Sequence, residues 1–297
     1  MHNILRGIKK LYIKLFFLGP KLFSTLTFIP FLYIFGWLLA TPILLLGMEN
    51  ENLSLIGTIF TFLIFIFSLP KWFYIRWGFK NTWILLGVNN QERNRKLIFY
   101  FFRGFLISII LISLILVPII ATRSGYWIGK ISLDIILNSI FLIIGIGFAE
   151  ELIFRGWLLE EFKNQFGLKK AIIIQASLFS IVHIGFDLPL WQMISILFGL
   201  FLLGIFLSLM RLKDNNSLWG CVGLHGGIVG MWFITNNGLL SISTDSPKWL
   251  VGPGTINTNP LGGLYGISLM IISCFLYLPS FKKRINSFKL IIYSFYK

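Results

Sequence analysis

Long apolar stretches, separated by short polar ones, dominate this chain and restrict what it can fold into. Runs of about 18 or more apolar residues are typical of helices that cross a membrane. Charged residues make up 12% of the chain and hydrophobic residues 56%, whereas soluble domains carry about 25% charged residues. The sequence therefore predicts an all-α fold, a polytopic transmembrane helix bundle. About eight spans are expected, at 22–47, 54–70, 97–121, 133–156, 170–186, 190–210, 216–236 and 261–279.

The basic residues predict how this bundle is oriented. The chain has 26 Lys and Arg residues and a net charge of +15. All of them except Arg123, Lys130 and Lys248 fall on one side of the predicted spans, and the positive-inside rule makes that side cytoplasmic. Both termini are then cytoplasmic, and the first apolar run, too long for a signal-peptide core, is a retained span. Contact with anionic membrane lipids explains the basic excess, and no nucleic-acid partner is expected.

Three charged residues lie inside the fourth apolar run, where each costs roughly 2.5–3.5 kcal/mol on insertion scales. Glu151 and Arg155 are four residues apart with the acid first, which favours an ion pair on one helix face. Glu150 is about 100° away from Glu151 around the helix, so the two are not expected to face the same partner. Glu150 is then a candidate general base for activating water. The alternative is that all three residues form one structural polar cluster.

Two histidines lie in later apolar runs. His183 shares a helix face with Phe179, four residues earlier, and His225 lies in a glycine-rich helix that allows close approach of its neighbours. Taken alone, each histidine fits an interhelical hydrogen bond as well as a functional role.

The end of the fourth helix decides whether these groups meet. An amphipathic pattern continues past Gly156 towards Phe166, and Gly167 is a suitable end. If the helix reaches the cytoplasmic surface near Glu160, the glutamate and both histidines lie at similar depths near the middle of the membrane. If it ends at Arg155, their depths do not match.

In sequence order, these motifs resemble those of the CPBP family, which comprises CAAX-prenyl-protease-like and bacteriocin-processing (Abi) intramembrane endopeptidases. The matching positions span about 130–236 and are Glu150, Glu151, Phe154 and Arg155, then Phe179 and His183, then His225. The family's third motif is His-x-x-x-Asn. Here Val229 stands in the place of the asparagine.

The resemblance implies hydrolysis of a peptide bond within or near the membrane. Glu150 would activate water, and His183 and His225 would orient that water or polarise the scissile carbonyl. Glu151 and Arg155 would hold the helix, and Arg155 is also suited to a substrate carboxylate. The cofactor is either none or a divalent metal such as zinc. Such a metal would be held by the Glu150 carboxylate and the two imidazoles, with one position open for water. The absence of a His-Glu-x-x-His motif favours a metal-independent glutamate mechanism.

Three parts of the chain follow from these patterns. Residues 1–128 are expected to hold N-terminal transmembrane helices without a recognised motif, and 129–238 the CPBP-like catalytic core. Residues 239–297 should contain an external loop, the last transmembrane helix and a basic cytoplasmic tail.

Two other functions remain open from the sequence. Val229 favours a catalytically silent family member that acts as a membrane scaffold or regulator. A proton-coupled transporter would use the buried carboxylate and histidines as a relay, but no inverted repeats are recognisable. For the leading function, the partners are membrane lipids and a membrane-associated peptide or protein substrate. The expected location is a bacterial plasma membrane or an internal membrane.

Overall fold

The fold is almost entirely helical, which confirms the predicted all-α class. The computed structural model describes residues 6–7, 10–17, 21–46, 50–89, 94–183, 188–254 and 258–295. The α-helices in these ranges, with α5 counted as one helix, are α1 (Lys21–Ala40), α2 (Asn50–Trp77), α3 (Thr82–Leu85), α4 (Asn94–Ala121), α5 (Leu133–Phe166), α6 (Leu168–Ile181), α7 (Leu190–Lys213), α8 (Trp219–Ile234), α9 (Lys248–Val251) and α10 (Leu264–Phe295). Short π-helices cover Ile13–Phe17 and Thr235–Leu239, and short 3-10 helices cover Thr41–Leu46 and Pro260–Gly262. Two short strands, β1 (Gly125–Trp127) and β2 (Leu240–Ile242), pair in antiparallel fashion.

Within the described residues, five helices are long and apolar enough to cross a membrane. These are Lys21–Ile43, Leu53–Trp77, Arg95–Ala121, Leu133–Phe166 and Leu190–Lys213, and a shorter apolar helix covers Leu264–Pro279. The predicted spans at 170–186 and 216–236 correspond to α6 and α8, which have 14 and 16 residues. The end of the former falls in 184–187, outside the described residues. The count of eight spans and the cytoplasmic termini stay predictions.

The chain divides into two compact units, the first formed by residues 1–85 with 164–167 and the second by 86–163 with 168–297. In the first unit, α1 packs closely on α2 because Gly36 has no side chain. A Cβ there would lie 2.6 Å from the carbonyl oxygen of Gly57. The rings of Phe28 on α1 and Trp72 on α2 also pack together, tilted by 34° with centroids 4.4 Å apart. The predicted division of the chain at residues 128 and 238 stays a prediction.

In the second unit, α8 is the central helix, and its glycines bring the neighbouring backbones into contact. A Cβ on Gly223 would collide with the carbonyl oxygen of Phe101 on α4, and one on Gly226 with the carbonyl oxygen of Ile143 on α5. Small residues permit this close approach in membrane bundles. The glycine-rich pattern therefore places α8, and His225 with it, among buried neighbours.

We expect Gly226→Ala to destabilise the protein by about 1–3 kcal/mol, because α5 must move away from α8 to admit the methyl group. Thermal unfolding in detergent, followed by circular dichroism, measures this loss. Gly145→Ala is the matched control, since its Cβ would meet the Phe141 ring, a side chain that can shift, at 3.1 Å. Equal losses in the two variants would contradict the role of Gly226 in α8 packing.

Helix α5 is unusual in having two π-helical stretches, Leu142–Ile146 and Leu152–Leu158, on either side of Glu150 and Glu151. The helix nevertheless continues without a break past Gly156 and stops where Gly167 takes a positive φ of 80°. This confirms the longer of the two helix ends considered from the sequence. Such π-helical turns occur frequently at functional sites.

Candidate active site

A cavity of about 400 Å³ lies in the second unit and is enclosed mainly by apolar side chains. Its volume falls within the range of roughly 300–1,000 Å³ found for small-molecule sites. Glu150, His183 and His225 all lie in its wall. The other lining residues are Leu111, Ile112, Ile115, Phe179, Leu200, Leu203, Ile228, Val229, Trp232, Thr258, Asn259, Pro260, Leu261 and Met270.

The structure brings the predicted carboxylate and the two histidines together at this cavity. The Oε2 atom of Glu150 lies 3.3 Å from Nε2 of His183 and 3.8 Å from Nε2 of His225. This oxygen is buried, and no hydrogen bond of normal geometry reaches it from the described residues. Catalytic hydrogen bonds in a site without its substrate are often this long, and they shorten when the substrate binds.

Hydrogen bonds at the opposite nitrogens fix how the two imidazole rings point. Nδ1 of His183 lies 2.7 Å from the carbonyl oxygen of Phe179, one turn earlier on α6. Nδ1 of His225 lies 2.7 Å from Oε1 of Glu151. Because a carbonyl and an ionised carboxylate only accept, both Nδ1 atoms carry the hydrogen and donate it. Both Nε2 atoms are thereby directed towards Glu150.

One expectation about the two glutamates is wrong. Glu150 and Glu151 were expected to face different partners, but the His225 ring lies between them, with one nitrogen towards each carboxylate. The regular spacing of about 100° per residue separates the two side chains, as assumed. However, an imidazole has nitrogens on opposite sides and so contacts both.

The predicted ion pair between Glu151 and Arg155 is confirmed and lies behind the cavity wall. Nη1 of Arg155 donates to Oε1 of Glu151 over 2.7 Å, and both side chains are fully buried. The guanidinium carbon also lies 4.1 Å from the ring centroid of Phe179. That ring contacts both histidines, with centroid distances of 4.6 Å to His183 and 5.4 Å to His225. The ion pair therefore supports the cavity wall rather than forming part of it.

Other parts of the site were missed by the sequence analysis. The segment from Thr258 to Pro260 is predicted to lie in an external loop and Leu261 to begin the last span, but all four residues form part of the cavity wall. No local sequence pattern predicts that this segment lines the cavity, because its position depends on its packing against α7. Val229 also lines the cavity and leaves an apolar surface at that point.

A second buried charge cluster, also missed, lies one turn beyond Arg155. Arg211 donates to the backbone carbonyl oxygen of Arg155, and its Nη2 lies 3.2 Å from Oε1 of Glu160. Lys163 lies 2.9 Å from the other oxygen of Glu160. The spacing of three residues between Glu160 and Lys163, which favours an ion pair on one helix face, is the sequence signal that could have indicated part of this cluster. The cluster holds the part of α5 around Glu160 against α7.

Fold and site together define an integral membrane protein of the helical polytopic class, with a carboxylate and two imidazoles facing one apolar cavity. Within the described residues, no group of three His, Cys, Asp or Glu side chains has the arrangement of a metal site.

Residues 132–231 match the model of the family described as type II CAAX prenyl endopeptidase, Rce1-like. This segment carries α5 to α7, most of α8, and Glu150, His183 and His225, and the match confirms the resemblance predicted from the motifs. Residues 10–81, within the first unit, match a separate model described as a domain of unknown function, DUF8676. No curated protein and no solved structure matches the chain.

Proposed function

We propose that this protein is an intramembrane endopeptidase in which Glu150 activates water for attack on a peptide bond. The observation that carries this proposal is the approach of one Glu150 oxygen to the Nε2 atoms of both His183 and His225 inside an apolar cavity. The family match to a prenyl endopeptidase supports a protease of this kind. Neither observation names the substrate, so its chemistry is inferred from the cavity walls.

In the proposed reaction, a water molecule hydrogen-bonds to Glu150 between the carboxylate and the substrate. Glu150 accepts a proton as the water oxygen attacks the carbonyl carbon, and a tetrahedral intermediate forms. Glu150 then returns the proton to the nitrogen of the leaving amine as the carbon–nitrogen bond breaks. The Glu150 carboxylate ends as it began, and the products are an amine and a carboxylic acid, which then loses its proton to the surrounding water.

The two histidines orient the water and stabilise the oxyanion. When either ring also carries a proton on Nε2, that N–H points into the cavity, where charge develops on the carbonyl oxygen. Glu151 holds the His225 ring through Nδ1, and Arg155 holds Glu151 in turn. In this arrangement, the His225 ring is positioned for the reaction by Glu151 and Arg155, which lie behind it and do not contact the substrate.

The substrate is a membrane-associated peptide or protein, and the apolar cavity walls accept apolar side chains. Bacterial plasma membrane or an internal membrane is the proposed location, with membrane lipids as the surrounding partner. We propose that the reaction needs no metal. If zinc or another divalent ion took part, Glu150, His183 and His225 would hold it, and the ion would supply an activated water.

We expect wild-type protein in liposomes to cleave members of a peptide library, as read by mass spectrometry, and His183→Ala to reduce the rate by about 10²-fold. A chelator should leave wild-type cleavage unchanged. Loss of cleavage with chelator, restored by added zinc, would contradict the metal-free mechanism but keep the protease. Full activity of His183→Ala would show that His183 has no role in the reaction.

A second candidate function is favoured by Val229. An apolar residue at this point of the cavity wall suits a family member that binds membrane peptides or proteins without cleaving them. If the protein is such a scaffold or regulator, the folded wild type should bind peptides from the library without cleaving them. The Glu150→Gln variant should bind the same peptides.

A further inference from the structure

The hydroxyl group of Thr258 is buried in the cavity wall and has no hydrogen-bond partner among the residues that the structure describes. Thr258 is 3% exposed, and its Oγ1 atom makes no hydrogen bond to any described residue. Buried polar groups in folded proteins nearly always have a partner, and an unpaired one needs an explanation. The hydroxyl belongs to a residue that lines the same cavity as Glu150, so a molecule in that cavity is the partner available to it.

The segment that carries Thr258 is held firmly in place. The next residue, Asn259, donates its backbone N–H to the carbonyl oxygen of Pro253 over 2.9 Å, and its side-chain oxygen accepts from the N–H of Leu261 over 3.1 Å. On α7, Gly199 lacks the Cβ that would collide with the Leu261 carbonyl oxygen. The hydroxyl is thus presented from a fixed backbone, as a binding group requires.

The composition of the cavity wall suggests what this hydroxyl binds. Glu150 and the two histidines are assigned to the reaction, and the wall next to His225 is apolar at Ile228 and Val229. Thr258 therefore supplies a hydrogen-bonding group on a segment separate from the helices that carry the reacting groups. A peptide that places its scissile bond at Glu150 brings further backbone carbonyl groups into the cavity, and each of these needs a donor once water is excluded.

We propose that Thr258 is a substrate-binding residue whose hydroxyl donates to a backbone carbonyl oxygen of the peptide next to the scissile bond. The occupant is an extended apolar peptide segment, whose side chains contact the leucines and isoleucines of the wall. This inference rests on the proposed endopeptidase function, because that function places the scissile bond of the peptide at Glu150. The test of the inference measures binding and does not depend on cleavage.

The test measures binding of a fluorescein-labelled Ala/Leu dodecapeptide amide in the non-cleaving Glu150→Gln background, by fluorescence anisotropy in detergent. Thr258→Val keeps the shape of the side chain and removes the hydroxyl, and it should weaken binding roughly 10-fold to 100-fold. Thr258→Ser keeps the hydroxyl and should bind within about threefold of the parent. Thr122→Val is the matched control, because the Thr122 hydroxyl bonds to the Pro118 carbonyl away from the cavity.

Thermal unfolding separates binding from a structural role. Because the Thr258 hydroxyl has no partner among the described residues, Thr258→Val should leave the melting temperature unchanged or raise it. A residue needed for folding would instead lower it. Weaker binding with no loss of stability supports the proposal, whereas equal binding by all variants, or no saturable binding of the peptide to the parent, overturns it.

The two proposals fail in different ways. If the endopeptidase function is wrong, wild type does not cleave, but the Thr258→Val defect in binding remains. If the binding role is wrong, wild type cleaves, and Thr258→Val cleaves with an unchanged KM.

Discussion

Replacement of Glu150 by glutamine is expected to lower peptide cleavage towards the upper end of the ~10²–10⁴-fold range that is typical for loss of a general base. Glutamine keeps the size of the side chain but does not accept a proton from water at neutral pH. The Nε2 atoms of His183 and His225 then face an amide in place of a carboxylate. Initial rates on one cleaved library peptide, measured in liposomes, give the size of the effect.

Stability should change little in the same variant, because the Glu150 side chain is 28% accessible and its Oε2 atom has no hydrogen bond of normal geometry among the described residues. Asp134→Asn is the matched control: it also neutralises a carboxylate in the second unit, but at an exposed position at the start of α5. We expect this control to cleave at the wild-type rate. Undiminished cleavage by folded Glu150→Gln would remove Glu150 as the base.

Replacement of Arg155 by methionine is expected to destabilise the protein by about 3–5 kcal/mol, the usual cost of removing one partner of a buried ion pair. Glu151 would remain fully buried and lose the guanidinium that now lies 2.7 Å from its oxygen. Among the described residues, the His225 N–H would then be left as its hydrogen-bond donor. Unfolding in detergent, followed by circular dichroism, measures the loss.

The double variant Glu151→Gln with Arg155→Met is the informative comparison. Both charges are then absent, and the introduced amide oxygen still accepts from Nδ1 of His225. We expect the double variant to recover most of the stability lost in Arg155→Met, because well-packed neutral groups often replace buried ion pairs at little cost. A double variant that is less stable than Arg155→Met would show that Glu151 is needed for another reason.

Much of the fold was predictable because membranes impose simple rules on sequence. Apolar runs indicated the helices, and the amphipathic pattern after Gly156 indicated that α5 continues to Gly167. The spacing of Glu151 and Arg155 was enough to predict their ion pair. These features are local, so the residues that cause them are neighbours in the chain.

Features that depend on packing between distant segments could not be predicted. The position of His225 between two carboxylates is set by the closeness of α8 to α5. Likewise, Thr258 reaches the cavity because its segment packs on Gly199, more than fifty positions earlier. Turn-forming residues near Thr258 indicated a loop, but not which surface the loop would cover.

The π-helical stretches of α5 affect how a site of this kind can be altered in evolution by the insertion or deletion of one residue. A π-helical turn arises when one residue is added to an α-helix, and one residue rotates the chain by about 100°. The direction in which Glu150 points, relative to the start of α5, therefore depends on the extra residue within Leu142–Ile146. With one residue fewer, the same sequence would turn its carboxylate away from both histidines. The direction of the Glu150 carboxylate therefore depends on the number of residues that precede it in the helix. Gain or loss of one codon there changes this direction, although every reacting side chain is still present.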